Sequence, residues 1–147
     1  MSISTSLLDR RASEFVRTGQ SKAKLLGDYE TEPEHILLAL LDDVDGIFNQ
    51  VLRTAAYQDV RRVAALQLLR SDREVKPIIS PLSEATDKLI KQSAKDIKDG
   101  STAGPNHLAL ALIDCDREKV IKIFTALSLD REAVRTRLAE LGVSRAA

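Results

Sequence analysis

Apolar side chains recur along this chain at steps of three, four and seven residues, the period of helices that bury one face. The first such run extends from Leu8 to Leu26 and ends at Gly27, a residue type common just after a helix. Pro33 and Pro105 each precede a dense apolar run, where proline suits the first helical turn. Because no stretch alternates polar and apolar residues as a strand would, the sequence predicts an all-α fold.

The remaining apolar runs raise the number of predicted helices to eight. The fifth helix is expected to stop at Gly100 and the eighth at Gly142. Residues 71–81 contain two prolines and break the helical pattern, so they are predicted to form a linker. The further helical runs cover residues 47–55, 60–68, 82–97, 120–127 and 134–141.

The helices form two sets of four because the sequence repeats itself. A shift of 72 positions aligns residues 33–42 with residues 105–114, and six of those ten pairs are identical. A shift of 73 aligns the preceding helices and places Ala12 with Ala85. We therefore predict two pseudo-symmetric four-helix repeats, packed as one eight-helix domain with a cleft at their junction. The predicted domain spans residues 1–147, with repeat one over 6–70, the linker over 71–81 and repeat two over 82–142.

Composition narrows the functional classes. The 22 basic and 22 acidic residues cancel, and only five residues are aromatic, which argues against a nucleic-acid partner. No apolar run approaches the length of a membrane span and the N-terminus lacks a signal sequence, so we expect a cytoplasmic protein without a membrane partner. The single Cys115 and two histidines offer neither a disulfide nor a zinc cluster. We expect no metal and no cofactor.

Three segments carry a family resemblance: TEPEHILLALLDD at 31–43, its echo GPNHLALALID at 104–114, and SLDREAVRTRLAEL at 128–141. They resemble the N-terminal domain of the Clp family of AAA+ unfoldases, over about residues 6–142. The resemblance implies a non-catalytic domain that docks adaptor proteins and unfolded or tagged clients. It also implies a Clp ATPase ring as partner, linked covalently or in trans. The chain lacks a G-x-x-x-x-G-K-[ST] phosphate loop, so it is not the motor.

A second function fits the same resemblance. A stand-alone accessory protein of this kind would regulate or stabilise a Clp protease or chaperone assembly. In the ClpC branch of the family, the glutamate before each repeated histidine is implicated in binding phosphorylated arginine. The resemblance implies this role for Glu34, whereas Asn106 replaces the glutamate in repeat two. A small helical enzyme has little support, because no acid–base pair, nucleophile or metal set stands out.

His35 and His107 are the first candidates for a site. Each stands two residues after a proline, where its side chain can reach back to the exposed helix start. The alternative is a catalytic or metal-binding role. Neither histidine has a second His or Cys at ligand spacing, so the pattern favours helix capping.

Residues 28–52 contain seven carboxylates and no lysine or arginine, and we call them the acidic segment. Two interpretations stay open: a solvated run of loops and helix caps, or a docking patch for a basic partner. Asp45 is the best candidate to cap the following helix. The acidic residues are Asp28, Glu30, Glu32, Glu34, Asp42, Asp43 and Asp45.

The fifth predicted helix carries a lysine stripe, made of Lys88, Lys91, Lys95 and Lys98 at steps of three and four residues. It is either a solvated face or a contact for an acidic adaptor or an ATPase body. In the linker, Ile78 and Ile79 either pack onto the domain or hold apolar client segments at the cleft.

Overall fold

The computed structural model describes residues 3–43, 45–51, 80–95, 97 and 101–143. Within these residues it contains seven α-helices and no strand beyond two isolated bridges, which confirms the predicted all-α fold. The helix predicted at 60–68 lies outside the described residues. After a 3₁₀ turn at Ile3–Leu7, the helices are α1 (Arg10–Leu25), α2 (Pro33–Leu41), α3 (Ile47–Val51), α4 (Glu84–Ala94), α5 (Pro105–Ile113), α6 (Glu118–Ala126) and α7 (Arg131–Glu140).

Local signals determine where the helices begin and end. The carboxylate of Asp9 accepts a hydrogen bond from the backbone N–H of Ala12 at 2.8 Å and so caps α1. Helix α1 is followed by Gly27, whose φ of +80° is the left-handed conformation that glycine adopts without strain. Pro33 begins α2 and Pro105 begins α5, as predicted. Helix α4 ends at Ala94, before the stop predicted at Gly100.

Helices α2 and α5 form the centre of the core. All nine residues of α2 are buried, as are Leu108–Ile113 of α5. A helix that is apolar around its whole circumference must be covered on every side, and α1, α6 and α7 pack around this pair. The rings of Phe48 in α3 and Phe124 in α6 lie 5.8 Å apart between centroids. One core therefore extends across both repeats.

Two isolated parallel bridges connect the repeats reciprocally. In the first, Leu8 pairs with Ala103, and the backbone N–H of Asp9 donates to the carbonyl of Ala103 at 2.8 Å. In the second, Thr31 pairs with Leu82, and the backbone N–H of Thr31 donates to the carbonyl of Pro81 at 2.7 Å. Each bridge joins the segment before the first helix of one repeat to the segment before the second helix of the other.

The register of the repeat differs by one residue from the prediction in its first helix. Asp9 caps α1 and Ser83 caps α4, which corresponds to a shift of 74 rather than 73. Burial agrees, because Ala12 and Thr86 are both fully buried whereas Ala85 is half-buried. The sequence alignment was wrong here because it matched two alanines by identity, although their faces differ.

Candidate functional site

His35 closes the start of α2 and is almost fully buried, with 1% of its surface exposed. Its Nδ1 accepts a hydrogen bond from the backbone N–H of Glu32 at 2.8 Å, and its Nε2 lies 2.8 Å from Oδ2 of Asp28. Because Nδ1 accepts, the ring hydrogen is on Nε2 and is donated to Asp28. The geometry corresponds to the capping interpretation.

His107 reproduces half of this arrangement at the start of α5. Its Nδ1 accepts a hydrogen bond from the backbone N–H of Gly104 at 3.3 Å, and its side chain is only half-buried. Across the described ranges, no group of three or more His, Cys, Asp or Glu side chains is placed to hold a metal ion. Both imidazoles therefore act on their own helix starts.

Glu34 of the acidic segment is buried inside the domain rather than exposed on a docking patch, since 2% of it is exposed. The guanidinium of Arg117, in the loop before α6, donates from Nε to Oε1 of Glu34 at 3.3 Å. The same guanidinium also contacts Glu32. A buried carboxylate needs a compensating charge, and here the other repeat supplies it.

The end of α2 places Asp42 and Asp43 against α1. Lys22 Nζ lies 2.6 Å from the carboxylate of Asp42, and the guanidinium of Arg11 lies 3.1 Å from that of Asp43. Oδ1 of Asp43 also accepts the backbone N–H of Asp45 at 3.3 Å. Asp43, rather than the predicted Asp45, thus organises the approach to α3.

Most of the acidic segment is therefore engaged within the chain. Glu30 and Asp45 are the exceptions, since both are exposed and form no ion pair within the described ranges. The acidic residues with a basic partner or histidine partner are Asp28, Glu32, Glu34, Asp42 and Asp43.

Sequence reasoning missed the basic residues that hold these acids. Arg11 and Lys22 are on α1, and Arg117 is more than 80 positions from its two carboxylates. The internal repeat contains one indication that Arg117 has a special role. A shift of 72 aligns Arg117 with Asp45, so the equivalent loops of the two repeats carry opposite charges.

The described part of the lysine stripe is exposed: Lys88 and Lys91 lie on α4, and Lys95 lies just after its end. Lys88 pairs with Glu84 one turn earlier, at 3.5 Å. Such an exposed pair contributes little to stability. Lys98 and the two linker isoleucines, Ile78 and Ile79, lie outside the described residues.

A small cavity of about 160 Å³ lies where the two repeats meet. Arg11, Asp43 and Asp45 line it from repeat one, and Pro105 and Asn106 from repeat two. Typical small-molecule sites measure about 300–1,000 Å³, so this cavity is small for one and suits a single side chain. It occupies part of the junction where a cleft was predicted.

A second, shallower depression of about 460 Å³ lies between the end of α5 and the start of α7. Arg135 crosses it and contacts both Glu132 and Asp114. The hydrogen bond to Glu132 and, to a smaller extent, the one to Asp114 raise the pKa of Arg135 above its ordinary value. Three of the charged side chains that line this depression, Arg135, Glu132 and Asp114, are thus paired with one another.

Cys115 follows α5 and is half-buried. Burial raises the pKa of its thiol above the ordinary value and outweighs the lowering effect of a backbone hydrogen bond from Arg117. A thiol with a raised pKa is a weak nucleophile near neutral pH.

None of the described helices is both long enough and apolar enough to cross a membrane. The family model of the Clp repeat N-terminal domain matches residues 7–100. No curated protein sequence matches the chain.

Solved structures share this fold at low sequence identity. The N-terminal domain of Hsp104 from Candida albicans matches with a TM-score of 0.72 and 18% identity, over 94% of this chain and 93% of that one. The N-terminal domain of ClpD from Arabidopsis thaliana matches at 0.69 and 21% identity, over 91% and 99%. A complex of the ClpV N-domain with a VipB peptide matches at 0.65 and 17% identity, over 92% and 87%.

Proposed function

The chain belongs to the family of Clp repeat N-terminal domains, and we propose that it is a non-catalytic docking domain for a Clp-type unfoldase or disaggregase. It would hold adaptor proteins and unfolded clients and present them to the ATPase ring. The observation that carries this proposal is the similarity to a ClpV N-domain that binds a VipB peptide. Weak contacts suffice for such a role, because tethering to a ring raises the effective concentration of the client.

The lysine stripe supports contact with an acidic adaptor or with the ATPase body. Lys91 on α4 and Lys95 just after its end are exposed, so their charges can meet carboxylates of a partner. In the acidic segment, Glu30 and Asp45 remain as candidate contacts for a basic partner, since the other five acids have partners within the chain. Ile78 and Ile79 remain our candidates for apolar contact with clients.

The ion pairs of Arg117 affect whether Glu34 is accessible to a phosphorylated arginine of a client. Its guanidinium already contacts the carboxylates of Glu34 and Glu32, so an arginine of a client would have to displace it. We therefore propose that this chain does not dock clients through phosphorylated arginine at Glu34.

Two experiments test the docking function. Titration calorimetry with a reduced and carboxymethylated model client should give a dissociation constant on the order of 10–100 μM, about −5 to −7 kcal/mol. The second experiment fuses this chain to a Clp ATPase ring that lacks its own N-terminal domain. Client unfolding by the fusion should be faster than by the truncated ring, because the domain supplies the docking step.

The matched control is the fusion that carries Lys91→Glu and Lys95→Glu, which reverses the stripe without touching the core. It should lower the binding of an acidic adaptor while the melting temperature stays unchanged. The absence of binding heat at high micromolar client, together with no gain in unfolding rate, would show that the domain does not dock clients.

A further inference from the structure

From the distribution of charge on α1 we infer that its outward face docks an acidic segment of a partner protein, an inference that rests on the proposed docking function. The face is formed by Arg10, Arg17 and Lys24, and we call it the α1 basic face. It lies outside the acidic segment and the lysine stripe.

The spacing of the α1 basic face places its three cations on one line. Successive members are seven residues apart, which corresponds to about 10.5 Å along the helix and a rotation of only about 20°. All three side chains are exposed, and that of Arg10 is 94% exposed. The opposite side of α1 is the buried one, formed by Ala12, Val16, Gly19 and Ala23.

Internal ion pairs leave this face with an excess of positive charge. The other two cations of α1, Arg11 and Lys22, are engaged with the acids that follow α2. Glu14 is the single acidic residue of α1 and lies 3.6 Å from Arg10. Arg17 and Lys24 form no ion pair with any described residue. Five of the seven acids of the acidic segment are paired elsewhere in the fold and do not neutralise this face.

The structure itself shows what a neighbouring side of α1 binds. Arg11 and Lys22 hold the consecutive carboxylates of Asp43 and Asp42, at 3.1 and 2.6 Å. An acidic protein segment is thus a chemistry that this helix already accommodates. The exposed Leu25, with 69% of its surface accessible beside Lys24, also favours a protein over a polyanion such as nucleic acid.

The α1 basic face suits this occupant better than the lysine stripe does. Helix α4 carries Glu84 and Asp87 among its lysines, whereas Glu14 is the only acid on α1. Two of the three cations on the α1 basic face are arginines, whose planar guanidinium can bind a carboxylate through two hydrogen bonds.

The test uses a fluorescent helical peptide of about 21 residues with glutamate at every seventh position, matching the spacing of the face. The full chain is compared with the Arg17→Glu/Lys24→Glu variant and with Lys119→Glu/Lys122→Glu, which changes the net charge equally at two exposed lysines of α6. Fluorescence anisotropy at low salt should show binding to the full chain, weakened about tenfold by the α1 reversal and less than about twofold by the α6 reversal. Circular dichroism verifies that both variants are folded.

Several results would overturn the inference. Equal losses in the two variants would reduce the effect to net charge and overturn the inference, as would no loss in the α1 variant. Tighter binding of duplex DNA or of phosphatidylserine vesicles than of the peptide would overturn it in favour of those partners. If the α1 variant binds the peptide as tightly as the full chain does and still binds the denatured client, the inference fails and the docking function stands.

Discussion

Glu34 of α2 and Arg117 of the loop before α6 form an ion pair that joins the two repeats. Nε of Arg117 lies 3.3 Å from Oε1 of Glu34, whose side chain is 2% exposed, whereas that of Arg117 is 35% exposed. The charge buried in one repeat is thus neutralised by a partially exposed side chain of the other.

Replacing Arg117 with alanine should destabilise the domain by about 2–4 kcal/mol, because the carboxylate of Glu34 is then buried without a countercharge. The Arg117→Ala variant should melt several degrees lower by circular dichroism. Adding Glu34→Gln should recover part of the loss, because the stranded charge is gone. An unchanged melting temperature for Arg117→Ala would contradict this account of the pair.

The two histidines provide a matched comparison. His35→Ala should cost about 2 kcal/mol, since it removes two hydrogen bonds from a buried site, and His107→Ala less than about 1 kcal/mol. Urea unfolding of both variants measures the difference. Equal costs would mean that the contact with Asp28, which has no counterpart at His107 among the described residues, contributes nothing.

The reciprocal bridges predict that the repeats depend on one another for folding. Residues 1–75 and 76–147, produced separately, should lack a cooperative thermal transition, because each half loses the shared core and both bridges. Mixing the halves should increase the helical signal. A cooperative transition in either half alone would show that a repeat is an independent unit.

The thiol of Cys115 should react slowly near neutral pH. Burial raises its pKa, so the thiolate fraction at pH 7–8 is smaller than that of a free cysteine and increases only at higher pH. Iodoacetamide alkylation, followed by mass spectrometry, should be slower than for the urea-unfolded chain at every pH in that range. Equal rates would show that the folded structure does not protect the thiol.

The helices could be predicted because their signals are local. Gly27, Pro33 and Pro105 act within one turn of the chain, and the period of the apolar residues is visible in any short stretch of the sequence. The acidic segment could not be interpreted in this way. Its partners Arg11, Lys22 and Arg117 come from α1 and from the other repeat, and no local pattern brings them together. A charge excess in the sequence is therefore a poor guide to a charge excess on the surface.

The bridges at Leu8 and Thr31 also determine how mechanical load enters the domain. A pull applied near the N-terminus acts first on hydrogen bonds between residues 7–9 and Ala103, which belong to different repeats. We therefore expect a force on one repeat to be transmitted to the other, so that the helices of one repeat do not detach one at a time. The crossed connection therefore predicts that the two repeats yield to a pulling force together rather than one after the other.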